Sequence, residues 1–255
     1  MSSTFAKGLR LLEALCLARE PIGITALARD LDMNLSAVQR LLGTLVAAGY
    51  VEQTQDRKYQ ATLLTWEIGA QVLRDNVYRR AVHPILRRAA HTTGFTAFFM
   101  LNNVPFATYF DKVEGRNGVT YSSELGTSVP ITATASGLAI TAFLNPQQRQ
   151  KLLKEVKRGM IVYVPGDQQA LEETTAQIRD QRYATSQSGF RKGVNSVAAP
   201  VWNENNEVCG SIALTADENE LRAEHFEEVG RAVVRWAEEA TVSLGGFPYP
   251  KEFYE

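Results

Sequence analysis

The sequence predicts an α+β protein with an N-terminal winged helix-turn-helix, a linker helix and a C-terminal domain built on an antiparallel sheet. Three observations point there. Within the first sixty residues, three short helical stripes precede two short strands around a polar tip. A fourth helical stripe follows directly. Beyond it, apolar β-rich runs, two of them joined by a polar hairpin turn, are bracketed by amphipathic helices.

Phe5, Leu9, Leu12, Leu15 and Cys16 recur at spacing three to four and write the first helix. Pro21 and Gly23 break it. Thr25 is placed to cap a short second helix with Leu27, Ala28 and Leu31 inward. Asp32, Met33 and Asn34 form the turn into a third helix over 35–48, whose inner residues are Val38, Leu41, Leu42, Leu45 and Val46. Gly49 closes that helix. Residues 50–53 and 59–62 flank the tip 54–58 as a β-hairpin. Over 63–74, Leu64, Ile68 and Val72, with Trp66 and Leu73, predict the linker helix.

A further helix is expected over 78–93, with Val82, Ile85, Leu86 and Ala89 inside and Arg79, Arg80, Arg87 and Arg88 mostly outside. Strands are expected over 95–101, 106–113, 118–122, 194–202 and 208–215, and helices over 135–144, 146–157, 168–181 and 221–244. The polar stretch 203–207 is the hairpin turn between the last two strands.

Charge is distributed unevenly. Residues 1–60 carry 7 basic and 6 acidic side chains, 61–120 carry 7 and 4, and 121–255 carry 13 and 18. A mildly basic front on an acidic body fits a DNA-binding end on a domain that need not touch DNA. No apolar run approaches the roughly 20 residues of a membrane span, and the first residues lack the apolar core of a secretion signal. Cys16 and Cys209 stand far apart and form neither metal spacing nor redox pair, which suits a cytoplasmic protein.

Nothing in the chain assembles a catalytic set. His83, His91 and His225 are isolated in sequence, and no serine or cysteine elbow accompanies a base and carboxylate. Asp217, Glu218 and Glu220 precede a helix whose positive N-terminal end attracts acidic residues. Gly126, Gly137, Gly189 and Gly193 make no nucleotide-binding loop. No enzyme activity, cofactor or metal is expected.

In a helix-turn-helix the third helix enters the major groove. Its outward residues here include Ser36, Ala37, Gln39, Arg40 and Thr44, with Ser36, Arg40 and Thr44 on one face by their i, i+4 spacing. Arginine pairs bidentately with guanine and glutamine with adenine, and alanine and threonine methyls contact thymine. Arg57 and Lys58 at the hairpin tip are suited to a phosphate or the minor groove. These seven residues are the expected DNA contacts, and double-stranded operator DNA the expected partner. The alternative is a winged-helix metabolite sensor acting through protein–protein contacts.

Four segments resemble the IclR family of bacterial transcription regulators. Residues 36–45 are similar to its Ser-Thr-x-x-Arg-Leu-Leu-x-x-Leu recognition-helix signature, and residues 59–69 to its wing-to-linker signature. Residues 129–139 resemble Pro-Leu-His-Ala-Thr-Ala-x-Gly-Lys-Ala, and residues 193–201 resemble Gly-x-x-x-Ile-Ala-Ala-Pro-Val. The resemblance implies a DNA-binding domain over 1–62, a linker helix over 63–76, and a GAF-like effector-binding and oligomerisation domain over 77–255. It implies a homodimer or homotetramer and an effector that is an organic or aromatic acid of a catabolic pathway. It places that effector against Ala135, Ser136, Ser186, Ser196, Ala213 and Thr215, with backbone N–H groups at the helix start near Ala135 and Ser136 seating its carboxylate.

The chain also departs from the family pattern. Thr132 and Leu138 stand where histidine and lysine are common, and Ser186-Gln187-Ser188 contains no acid where many members have one. Ala37 replaces threonine, and Leu35 replaces a common lysine. A neutral pocket taking a monoanionic or aromatic carboxylate is therefore expected, with Gln39 and Arg40 central to base reading.

Overall fold

The computed structural model describes residues 3–116, 124–158 and 168–248. The chain divides into two compact units, residues 1–76 and 77–255.

The first unit runs α1 (Ser3–Leu17), α2 (Ile24–Asp30), α3 (Leu35–Ala47), β1 (Val51–Gln53), β2 (Tyr59–Ala61) and α4 (Leu64–Arg74). Its core joins Leu11 and Leu15 of α1, Leu27 of α2, Val38, Leu41 and Leu42 of α3, and Val51 of β1. Fully burying each such side chain contributes about 1.5–3 kcal/mol, more than the intrinsic helix preference of these short segments supplies. Leu45 packs against this core, whereas Val46, expected inside, is 39% exposed.

Helix α2 starts from Gly23, with Thr25 inside the helix and not at its cap. The reason lies in Ile22, which pairs with Tyr59 through two backbone hydrogen bonds of 2.9 Å. The chain is thereby extended through Ile22, and Gly23 becomes the boundary residue. Helix α3 is capped by Asn34, whose side chain accepts from Ala37 N at 2.8 Å. It ends in a Schellman motif: Gly49 sits at φ 80°, Gly49 N donates to Val46 O, and Tyr50 N to Leu45 O.

The second unit contains α5 (Val77–Thr93), β3 (Thr96–Asn103), β4 (Phe106–Val113), β5 (Ser128–Pro130), α6 (Ala135–Thr141), α7 (Pro146–Lys157), α8 (Gln168–Gln181), β6 (Ala184–Gln187), β7 (Val194–Trp202), β8 (Val208–Asp217), a 3₁₀ turn (Ala223–His225) and α9 (Phe226–Ser243). Six strands form one antiparallel sheet in the order β5-β4-β3-β8-β7-β6. Side chains alternate across it, as the two-residue period of a strand requires. Ala97, Phe99, Val197, Ile212 and Leu214 cluster with α5 and α9, while Phe98, Met100, Ala198 and Ala213 cluster with α6, α7 and α8. Because both faces are covered, β3, β7 and β8 appear in the sequence as nearly unbroken apolar runs.

The long elements fall where the sequence predicts them. Strands β5 and β6 were not expected; three and four residues are too few to show an alternation. The strand expected over 118–122 lies outside the described residues. Helix α6 stops at Thr141 and not at 144, and the helix expected from 221 begins at Phe226 after the 3₁₀ turn. Asp217 and Glu218 serve this corner: Asp217 accepts from Asn219 N at 2.9 Å, and Glu218 accepts from the Ser188 hydroxyl at 2.7 Å. His83, isolated in sequence, meets the buried Asp111 at 2.8 Å and fastens α5 to β4.

Candidate DNA interface and effector cavity

The stripe that buries Val38, Leu41 and Leu42 leaves Ser36, Gln39, Arg40 and Thr44 exposed on α3, with Ala37 half-buried beneath the Asn34 cap. At about 1.5 Å per residue, Ser36 to Thr44 spans about 12 Å, or three to four base-pair steps. The Ser36 hydroxyl donates to Asn34 Oδ1 at 3.2 Å and the Thr44 hydroxyl to Arg40 O at 3.1 Å, which orients both for accepting. Arg40 and Thr44 also border an apolar groove against Phe5, Gly8, Leu9 and Leu12 of α1.

The hairpin tip is held by Thr54. Its hydroxyl donates to Asp56 Oδ1 at 2.5 Å and accepts from Lys58 N at 3.2 Å. The Lys58 ammonium meets Asp56 at 3.1 Å. The Thr54 hydroxyl, then Lys58, hold the Asp56 carboxyl below its ordinary range, so Lys58 faces a carboxylate at neutral pH. Arg57, exposed at φ 61°, stands at the apex.

All six residues placed on the effector line one cavity in the second unit. Ala135 and Ser136 come from α6, Ser186 from β6, Ser196 from β7, and Ala213 and Thr215 from β8. Thr96, Phe98 and Met100 of β3, Tyr109 of β4, and Phe190 and Arg191 of the β6–β7 loop complete most of the wall. The cavity measures about 60 Å³, about two waters' share of liquid volume. On its apolar side Phe98 and Tyr109 pack edge-to-face at 5.4 Å.

Ala135 and Ser136, expected to seat the carboxylate, stand at the start of α6 on the cavity wall. Helix α6 has seven residues, and Thr134 already accepts the Gly137 N–H at 3.0 Å. The cation in this wall is Arg191, 6.0 Å from the Phe190 ring centroid. Thr96 and Arg191 were not singled out from the sequence. Thr96 enters the site only through strand register, and Arg191 sits in a polar loop that resembles any solvated turn.

Among the described residues no group of three or more His, Cys, Asp or Glu is placed to hold a metal ion, and no helix is long and apolar enough to cross a membrane.

An exposed, capped recognition helix with a basic-tipped wing, followed by a sheet domain enclosing a small cavity, is the build of a DNA-binding transcription regulator. Residues 4–55 match the model of the IclR helix-turn-helix domain, and residues 70–242 that of the bacterial transcriptional regulator IclR C-terminal domain. The chain belongs to the IclR family of transcriptional regulators, whose members are not enzymes. The transcriptional repressor IclR of Escherichia coli (strain K12) is 26% identical over 249 residues, covering 95% of this chain and 90% of that protein. The probable regulator ArcR of Halobacterium salinarum is 29% identical and covers 92% of each. An IclR-family regulator from Brucella abortus shares the fold with a TM-score of 0.84 at 20% identity, covering 95% of this chain and 92% of that one. An IclR homologue from Microbacterium hydrocarbonoxydans, complexed with 4-hydroxybenzoate, does so at 0.74 and 19%, covering 95% and 99%.

Proposed function

We propose that this regulator binds an operator through α3 and the hairpin tip, and that a small carboxylate in the cavity sets its affinity. The observation that carries the second half is convergence: the six residues that the family resemblance marks, from four separate segments, line one cavity together with Arg191. An effector changes operator affinity only by binding two states of the protein unequally. The chain passes from the cavity domain to the DNA-binding unit through α5 and α4, with only residues 75 and 76 between them.

The working form is a pair of chains. Helix α4 buries none of its residues, leaving Trp66 69%, Ile68 45% and Val72 69% exposed. A second copy covers this apolar stripe, and a symmetric pair of recognition helices meets two operator half-sites.

Arg40→Ala tests the DNA assignment. Operator affinity should fall about fivefold or more, as the loss of one bidentate base contact worth about 1–3 kcal/mol requires. Circular dichroism and sedimentation should be unchanged. Retention of wild-type affinity and salt dependence by a folded Arg40→Ala protein would show that α3 does not read the operator.

A further inference from the structure

Where α5 ends, the second unit carries a cleft of about 640 Å³, a volume typical of small-molecule sites. One wall is α5, through Pro84, Arg87, Arg88 and His91, and the other is the chain leaving β4, through Val113, Glu114 and Arg116. Val113 and α5 belong to the core on the sheet face away from α6. The effector cavity lies on the α6 side, and among the described residues the two sites share no wall residue.

Backbone contact sets the distance between the walls. Gly94, at φ 76°, turns the chain out of α5. Gly115 packs on that turn so closely that a Cβ would stand 2.1 Å from the Gly94 carbonyl oxygen. Arg116 follows directly and is thereby held beside the last turns of α5, where Arg87 and His91 share one exposed face by their i, i+4 spacing.

Charge in the cleft is unbalanced. Glu114 is engaged by Lys112 at 2.9 Å, and Arg88 by Glu239. Among the described residues, Arg87, His91 and Arg116 have neither an ion pair nor a side-chain hydrogen bond. The carbonyl groups that end α5 are themselves occupied: the Thr93 hydroxyl donates to Ala89 O at 2.8 Å and Gly94 N to Ala90 O at 2.9 Å. That reduces the opposition a helix C-terminus offers to an anion. A concave wall of one sign concentrates anions, and guanidinium forks match phosphate oxygens bidentately.

We infer that this cleft is a second ligand site and that it takes a small organic phosphate. The dianionic phosphoryl group lies between Arg87 and Arg116, with an N–H from His91, and the carbon skeleton rests on Pro84 and Val113.

The test is calorimetry on the full chain at low salt and pH 8, where a phosphate monoester is a dianion. The probes are glycerol 3-phosphate, glucose 6-phosphate and phenyl phosphate, with inorganic phosphate as the bare group. At least one ester should bind about tenfold more tightly than inorganic phosphate. Arg87→Gln and Arg116→Gln should each weaken that ester about fivefold or more, with circular dichroism unchanged because both side chains are exposed. Arg80→Gln, exposed on α5 outside the cleft, should bind it as the wild type does. Ser186→Phe, which narrows the effector cavity, should also leave it unchanged. Loss of ester binding in folded Ser186→Phe, equal loss in Arg80→Gln, or binding by no ester overturns the inference. So does a salt slope of operator binding that becomes shallower by about one in Arg87→Gln or Arg116→Gln, which would make these arginines contacts to the DNA backbone.

Discussion

Arg57 holds φ at 61°, a conformation that costs a side chain other than glycine about 1–2 kcal/mol. Glycine is the default residue at such a turn, so a charged side chain kept there points to a role at the wing's apex. Arg57→Gly should raise the stability of the first unit by up to about 1 kcal/mol in denaturant melts. Operator affinity should fall, with a salt slope shallower by about one. Stability and binding moving together would mean that Arg57 is only a turn residue. The two thiols give a second residue-scale prediction. Burial pushes the Cys209 thiol up from 9.0 to about 12, while Cys16 is exposed. An aromatic disulfide reagent at pH 8 should titrate Cys16 quickly and Cys209 only after unfolding. Because the folded thiol ionises at higher pH than the unfolded one, its contribution is intact below about pH 9 and is lost between about 9 and 12. Cys209→Ala should flatten that alkaline decline in the melting temperature. Positions governed by local pattern were legible, such as the outward face of α3 on which Arg40 is exposed and the helix stop at Gly49. Thr96 and Arg191 were not, because their meaning comes from neighbours distant in sequence.

Helix α6 shows how an element is positioned by contact more than by propensity. All seven of its residues are buried, and Gly137 lies so close to Ile131 that a Cβ would come 1.9 Å from the Ile131 carbonyl oxygen. That obstacle is backbone, which cannot rotate away. Gly137→Ala should therefore cost about 3 kcal/mol or more, the upper end of overpacking penalties, measured as a lower denaturation midpoint of the second unit. An unchanged midpoint would show that α6 does not rest on the Ile131 backbone. The Thr-Ala-Ser-Gly segment was visible in the sequence, and its glycine has a packing reason beyond any ligand. Long elements were legible because their apolar period repeats several times. The start of α2 was not, since a bridge to Tyr59, 37 positions away from Ile22, decides where extended chain gives way to helix. The same holds for β6: without it the cavity wall loses Ser186, and no local pattern in four residues announces it.

At the scale of the molecule, each unit has its own core. Residues 1–76 pack around Leu11, Leu27, Val38 and Leu42, and the second unit packs on both faces of its sheet. Such a chain should melt in two transitions, one raised by a small carboxylate in the cavity and the other by an operator duplex selected from random sequence. At a hundredfold excess over its dissociation constant, either ligand stabilises its own unit by about 2.7 kcal/mol. One transition raised equally by both ligands would mean that the units unfold as one cooperative body. Regulation requires the two binding events to be linked, and linkage is reciprocal. If saturating acid changes operator affinity by a given factor, saturating operator must change acid affinity by the same factor, in the range of about 5 to 150 for typical coupled sites. Anisotropy titration of the duplex with and without acid gives the first factor, and calorimetry of the acid with and without duplex gives the second. Equal factors above one establish the cavity as the control site. Factors of one in both directions, with acid still bound, would separate the cavity from control of the operator.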